Sequence, residues 1–375
     1  MEFPFRGERP PGSGAWRWRC ALAGMAAGRH NGGLDRRPPD HATGPTRDGR
    51  PDAPTRTASD FLERVKELDF EHRGHERGVA RVTMSLGFLR AAWRRWWTPT
   101  RPATAAPVPH PPPGAVALTF VGHATVMITT PAARVLTDPL LENSLCGLRR
   151  VRAAAADDND LADVTLVLIS HAHRDHLSRP SLARLPRRAT IVVPPRCAPL
   201  VRDLGFNLVV ELEPGQKLPF ADLEVLSVPA RHSGKRSVFD RHRRAASGYI
   251  IRTQERVVYF AGDTGYFSGL AEIGRSFAPD VALLPIGGYQ PAPFRREHLS
   301  PLDALYAFED LRARIFIPIT HGSFELGYEP IDEPLRWLRA LAQERERSFS
   351  PTILDHGQTC LLRGTATATG KSIDG

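Results

Sequence analysis

Cysteine is nearly missing from these 375 residues: Cys20, Cys146, Cys197 and Cys360 stand far apart, with no CxxC pair among them. That spacing argues against a disulfide framework and leaves buried or spare thiols. No run of eighteen apolar residues occurs, so no membrane-spanning helix is expected. Near the N-terminus, RWRCALAGMAAGRH sets basic residues before an apolar patch, but the patch is short and follows many polar residues and prolines, which weighs against a secretion signal. Lysine is scarce too, four against 46 arginines, a bias of GC-rich bacterial genomes that says little about chemistry.

The formal charge is +9, and it is unevenly spread: residues 1–100 carry 18 basic against 12 acidic side chains, the remainder 32 against 29. A nucleic-acid binder usually carries a basic stripe on its folded surface. With the later region this close to neutral, no nucleic-acid partner is expected.

What is present is 41% hydrophobic, enough for a substantial core in one large or two medium domains. The chain reads as a soluble, cytoplasmic globular protein. Residues 1–58, rich in Pro, Gly and Arg, form a basic extension that buries too little to offset chain entropy and is expected to be disordered. Residues 59–114 hold a helix and a Pro-rich linker. On that helix Leu86, Leu89, Trp93, Trp96 and Trp97 share one face, with Arg90, Arg94 and Arg95 among them. Two readings stay open for it: docking on the protein's own core, or peripheral contact with a membrane or lipid substrate. Residues 115–364 are the main domain and 365–375 a flexible tail.

From Val116 onward short β-branched or apolar runs recur, among them VALTFVG, ATVMIT, RVLTDP, VTLVLIS, TIVVP, LEVLSVP, GYIIRT, RVVYFAGD, VALLPI and IFIPIT. Between them lie helical segments such as SPLDALYAFEDL, with Ser300 as cap, Pro301 in the first turn and Asp303 favouring the dipole, and EPLRWLRALAQERER. The class is α/β, with no internal repeat.

The chemistry-bearing residues fall where strand runs end. His171, His173, Asp175 and His176 follow VTLVLIS, His232 follows LEVLSVPA, Asp263 follows RVVYFAG, and His321 follows IFIPIT. Four strand ends on one sheet edge would gather all seven side chains in one pocket. Neutral imidazoles and carboxylates in such a pocket are ligands for zinc or a similar divalent metal. One loop could then serve two metals, and Asp263 could bridge them around an activated hydroxide. Gly262 and Gly265 beside it would let backbone approach the crowded site.

SHAHRDH, PARHSGKR, FAGDTGY and the histidine of ITHGSF resemble the signature of the metallo-β-lactamase superfamily of metal-dependent hydrolases. Over roughly residues 115 to 362, VGHATVMITT, AGDTGYFSGLAEIGRSFAPDVALLPIGGYQPAPFRREHLSPLDAL and HGSFELGYEPIDEP resemble its branch of N-acylphosphatidylethanolamine phospholipases D and bacterial relatives. The resemblance implies an αββα sandwich, and two divalent ions, zinc first with iron or manganese as alternatives. It implies His171, His173 and His232 on one metal, and Asp175, His176 and His321 on the other, with Asp263 bridging. Asp175 would also orient the attacking hydroxide. His123 and Asp138 would support the ligand imidazoles from behind, and His298 would protonate a leaving group or contact phosphate. Tyr266 and Tyr289 would line the substrate pocket, while His356 reads as structural. One departure stands out: a gapless match of the family's final motif sets Thr320 where the histidine belongs and His321 one place later.

The substrate implied is a small molecule or a phospholipid, cleaved at a phosphodiester. A lactonase acting on a small soluble substrate is the main alternative. An RNA-processing nuclease or a non-catalytic metal-binding protein is less favoured. The oligomeric state, a homodimer included, stays open.

Overall fold

A computed structural model describes residues 98–104, 107–237, 240–242, 244–344 and 349–363. The Trp/Arg helix, the N-terminal extension and the C-terminal tail expected from the sequence lie outside the described residues.

Fifteen strands are described: β1 (Ala115–Gly122), β2 (Thr125–Thr129), β3 (Arg134–Thr137), β4 (Ser144–Leu145), β5 (Leu148–Arg149), β6 (Leu166–Leu168), β7 (Thr190–Val193), β8 (Leu208–Glu211), β9 (Lys217–Phe220), β10 (Leu223–Pro229), β11 (Ser247–Arg252), β12 (Val257–Phe260), β13 (Val281–Pro285), β14 (Ile315–Ile319) and β15 (Thr359–Arg363). The α-helices are α1 (Asp158–Ala162), α2 (Arg179–Ala183), α3 (Gly269–Phe277), α4 (Pro301–Leu311) and α5 (Glu333–Glu344). One sheet runs β15-β1-β2-β3-β6-β7-β8, the other β14-β13-β12-β11-β10-β9, and β4 and β5 form a separate hairpin.

Alternation along the strands explains the layering. Val116, Leu118 and Phe120 of β1 meet Val258 and Phe260 of β12, Val281 and Leu283 of β13, and Ile317 and Ile319 of β14 in one core between the sheets. The opposite faces are apolar as well. Tyr259, Ala282, Leu284 and Phe316 pack on α3, α4 and α5 through Leu270, Ile273, Leu305, Trp337 and Leu338. Met127, Leu136, Val167 and Ile191 pack on α1 and α2 through Leu161 and Leu182. Helices outside two facing sheets make the αββα sandwich that the sequence pointed to.

Five strands are missing from the sequence reading: β4 and β5 are the two-residue arms of the separate hairpin, and β8, β9 and β15 are edge strands. The side chains of these edge strands are mostly exposed or half-buried, so they lack the apolar signature of a strand buried on both faces. Helix α4 begins as its sequence dictates: Ser300 and Asp303 cap each other's backbone N–H reciprocally, with Pro301 in the first turn.

Pairing directions align β1, β3 and β6 in one sheet and β10, β12 and β14 in the other, and bonds from Ser247 N to Ser170 O and from Thr320 N to His123 O tie their carboxyl ends together at one edge. β3 and β6 are parallel, as are β12, β13 and β14, while β1 and β10 are each two antiparallel steps from a member of those sets.

Candidate metal centre

The loop after β6 is anchored by hydrogen bonds on both sides. Tyr249 Oη donates to Ile169 O at 2.8 Å, and Ser247 N donates to Ser170 O at 2.9 Å. From outside, the Arg236 guanidinium donates to Ala172 O at 2.9 Å and Leu177 O at 2.6 Å. Asp138, fully buried at the end of β3, takes Ser170 N at 2.6 Å and Ser170 Oγ at 2.5 Å. Close packing at the neighbouring strand end needs glycine: Gly262 has φ +59°, and a Cβ there would run into Ser170.

Three histidines converge from this frame. His171 Nε2 lies 2.9 Å and His232 Nε2 3.1 Å from the same atom, His173 Nδ1. Hydrogen-bond partners fix two of the tautomers. The Ser170 hydroxyl hydrogen is spent on Asp138, so His171 Nδ1–H donates to Ser170 Oγ at 2.9 Å and leaves a lone pair on Nε2. His232 Nδ1–H donates to Glu297 O at 2.8 Å and likewise leaves a lone pair on Nε2. A single proton on His173 Nδ1 can satisfy only one of them. Burial keeps all three imidazoles unprotonated, with His232 pushed down to about 3. Ligand nitrogens around a tetrahedral zinc, at bond lengths of about 2.0–2.1 Å, would sit about 3.3 Å apart. The donor set therefore fits a divalent cation.

Beside this trio lies a carboxylate-rich group. His176, with no exposed surface, donates Nδ1–H to Asp138 Oδ2 at 2.7 Å. Its Nε2 faces Asp263 Oδ2 at 3.1 Å and Asp175 Oδ2 at 3.3 Å, yet neither His176 Nε2 nor Asp263 Oδ1 has a hydrogen-bond partner. Burial opposes charge on His176, but Asp263, Asp175 and Asp138 together raise its proton affinity well above the usual histidine range. That proton stands where buried Asp138 and Asp263 and half-buried Asp175 call for positive charge, which a cation would also supply. His123 Nε2 approaches Asp175 Oδ2 at 3.2 Å, so ligand atoms of His123, Asp175 and His176 lie within 4.8 Å of one another.

Six of the seven residues expected as ligands thus meet: His171, His173, Asp175, His176, His232 and Asp263. The seventh, His321, does not. Its Nε2–H donates to Pro318 O at 3.2 Å and its ring stacks on Phe120, centroids 5.0 Å apart and planes inclined by 24°. Ile317 and Ile319 of β14 face the inter-sheet core, and the left-handed turn at Thr320 (φ +57°) follows the strand; Thr320 and His321 both border the cavity, but His321 joins none of the groups of convergent ligand atoms among the described residues. Asp138 stands behind His176 as the resemblance implied. His123, expected in that same supporting rank, instead reaches the carboxylate group itself.

His298 also falls at the centre, its Nε2 3.6 Å from Asp263 Oδ2 and its ring 4.9 Å from that of His232. Tyr266 and Tyr289 were expected in the pocket, and neither lines it. Tyr266 Oη donates to Asp310 Oδ2 at 2.5 Å on α4, and buried Tyr289 donates to Glu333 Oε1 at 2.7 Å on α5. The cavity, of about 90 Å³, is instead bordered on its apolar side by Phe294, Phe324, Leu326 and Ile331. Those residues carry no sequence signal beyond hydrophobicity in a loop. His356 donates to or accepts from Ser323 Oγ at 2.9 Å deep in the fold.

Comparison with known proteins identifies the family. A model described as a beta-lactamase superfamily domain matches residues 133–321. The N-acyl-phosphatidylethanolamine-hydrolyzing phospholipase D 1 of Caenorhabditis elegans is 31% identical over 249 residues, covering 61% of this chain and 70% of that one. A metal-dependent hydrolase of Methanopyrus kandleri is 30% identical over 245 residues, covering 64% and 98%. Among solved structures, an isothiocyanate hydrolase from Delia radicum gut bacteria superposes with a TM-score of 0.56 at 20% identity, over 66% of this chain and all of that one. From β3 to the end of β14, with the convergent histidines in between, this chain belongs to the metallo-β-lactamase superfamily and is a metal-dependent hydrolase.

Proposed function

We propose that the protein is a dinuclear phosphodiester hydrolase whose substrates are phospholipids of the N-acylphosphatidylethanolamine type. In this reading His171, His173 and His232 hold one divalent cation, while Asp175 and His176 contribute to a second, with Asp263 between them. Zinc suits the imidazole-rich trio best, and the carboxylates would equally accept iron or manganese. Bound there, such cations supply acidity to water and offset charge gathering on phosphoryl oxygens.

The protein's own groups do the rest. Asp138 fixes the ring of His176, and Glu297 O fixes that of His232. Asp175 accepts a hydrogen bond from the attacking water and aims it at phosphorus. His298, its Nδ1–H donating to Phe294 O at 3.1 Å, presents Nε2 beside Asp263 and is placed to pass a proton to the leaving oxygen as its bond to phosphorus breaks. Phe294, Phe324, Leu326 and Ile331 keep water from that side and receive apolar parts of the substrate.

The observation that carries this reading is the convergence of lone pairs from His171 and His232 on one nitrogen of His173 beside the unpartnered His176 Nε2. The lipid part draws support from the apolar wall and from the C. elegans relative. The small volume of the cavity favours a second reading, a lactonase-type hydrolase of a small soluble molecule. Zinc-loaded protein assayed with bis(p-nitrophenyl) phosphate, vesicles containing N-acylphosphatidylethanolamine and a γ-lactone separates the two. Phosphodiester turnover with release of phosphatidic acid is expected; turnover of the lactone alone would overturn the lipid reading.

A further inference from the structure

We propose that His123 completes the second cation site, in the place that the family's final histidine would fill and that Thr320 occupies here. The assignment rests on the two-cation reading above and adds a ligand to it.

The position after β14 supplies no imidazole. Thr320 offers the cavity only a neutral hydroxyl, buried and without a hydrogen-bond partner. His321 borders the cavity with Nδ1 unpartnered, but its ring lies on Phe120, its Nε2–H donates to Pro318 O, and it joins none of the groups of ligand atoms that converge within 4.8 Å among the described residues. Asp175 and His176 would thus be left as a thin ligand set, although His176 Nε2 is fully buried and aimed, unpartnered, into the same space.

His123 is the side chain that comes to that space from elsewhere. Thr320 N donates to His123 O at 2.8 Å, so the turn after β1 and the end of β14 are tied together at these two residues. Both line the cavity. From its place His123 sends Nε2 to within 3.2 Å of Asp175 Oδ2, and its ring lies 5.1 Å from that of His176. The residue is held at φ +61°, in the left-handed region, a strained state for a side chain of this kind that the surroundings must impose. Two loops have in effect exchanged roles: the β14 loop gives a backbone N–H, and the β1 loop gives the imidazole.

The test is zinc stoichiometry by mass spectrometry after equilibrium dialysis at micromolar free zinc, with near-ultraviolet circular dichroism as a check on folding. Wild-type protein should hold two zinc ions per chain. His123→Gln, which keeps a polar side chain in place, should hold one, and so should His123→Ala if it folds. His321→Gln should hold two. Adding Thr320→His to His123→Gln should restore the second ion. Two ions on folded His123→Gln, or one on His321→Gln, would overturn the assignment while leaving the hydrolase centre standing. A wild-type chain that holds no zinc, iron or manganese would overturn the underlying reading itself.

Discussion

Where His171, His173 and His232 meet, burial drives protons off imidazoles; a few ångströms away, around His176, carboxylates hold a proton on despite burial at least as deep. The first group is neutral and needs a cation to give its lone pairs a partner. The second is rich in negative charge and needs a cation to balance it. One anchored loop serves both, because His171 and His173 lie on its near side and Asp175 and His176 on its turn. Asp263 and Asp138 join the two groups: Asp263 faces His176 Nε2 at 3.1 Å and borders His298 and His232, while Asp138 braces Ser170 behind His171 and also fixes His176. Two different electrostatic demands are thus met by one set of strand ends.

The largest effect should follow from removing the residue between the groups. Asp263→Ala is expected to lower kcat/KM by more than the roughly 10–100-fold typical of a supporting residue and to reduce bound zinc below that of any single-histidine variant. An Asp263→Ala protein that kept full metal content would mean that the two groups are independent and would break the comparison.

Much of this was legible beforehand, and the limits have physical causes. A histidine or aspartate directly after a strand run is easy to see, and strands buried on both faces announce themselves by continuous apolar stretches. His171, His173, Asp175, His176, His232 and Asp263 were found that way. His123 obeys the same rule, since it follows β1 directly, but a lone histidine in a tight turn reads equally well as a support. The position of His321 depended on the left-handed turn at Thr320 that follows β14, which no motif match resolves. Edge strands β8, β9 and β15 escaped because half of their surface meets water. The apolar wall of the cavity escaped because Phe324 and Leu326 in a loop carry no pattern that distinguishes a pocket from packing.

A smaller effect is expected at Asp138, which touches both groups only from behind. Asp138→Asn keeps the volume and one acceptor oxygen but removes the charge that holds His176 Nδ1–H and supports Ser170. Metal affinity, read by competition with a chromogenic chelator, should fall about 10–100-fold. The loss should be greater for the carboxylate-rich site than for the histidine trio, because Asp138 bonds His176 directly and His171 only through Ser170. Equal loss at both sites would show that the brace acts through the loop as a whole.

The smallest effect belongs to Tyr266, which the family resemblance set in the pocket and the fold sets just before α3, against α4. Its hydroxyl donates to Asp310 Oδ2, and that hydrogen bond pushes the phenol up to about 12. Tyr266 is 38% exposed and its ring meets that of Tyr306, so the bond is made at the surface, where water replaces a lost partner at little cost. Tyr266→Phe should therefore change stability by no more than about 0.5 kcal/mol, measured by urea denaturation, and leave kcat/KM unchanged. If kcat/KM instead fell severalfold with bound zinc unaltered, the tyrosine would be reaching substrate. The substrate surface would then extend from the centre across the start of α3 to α4, well outside the cavity that Phe294 and Phe324 enclose.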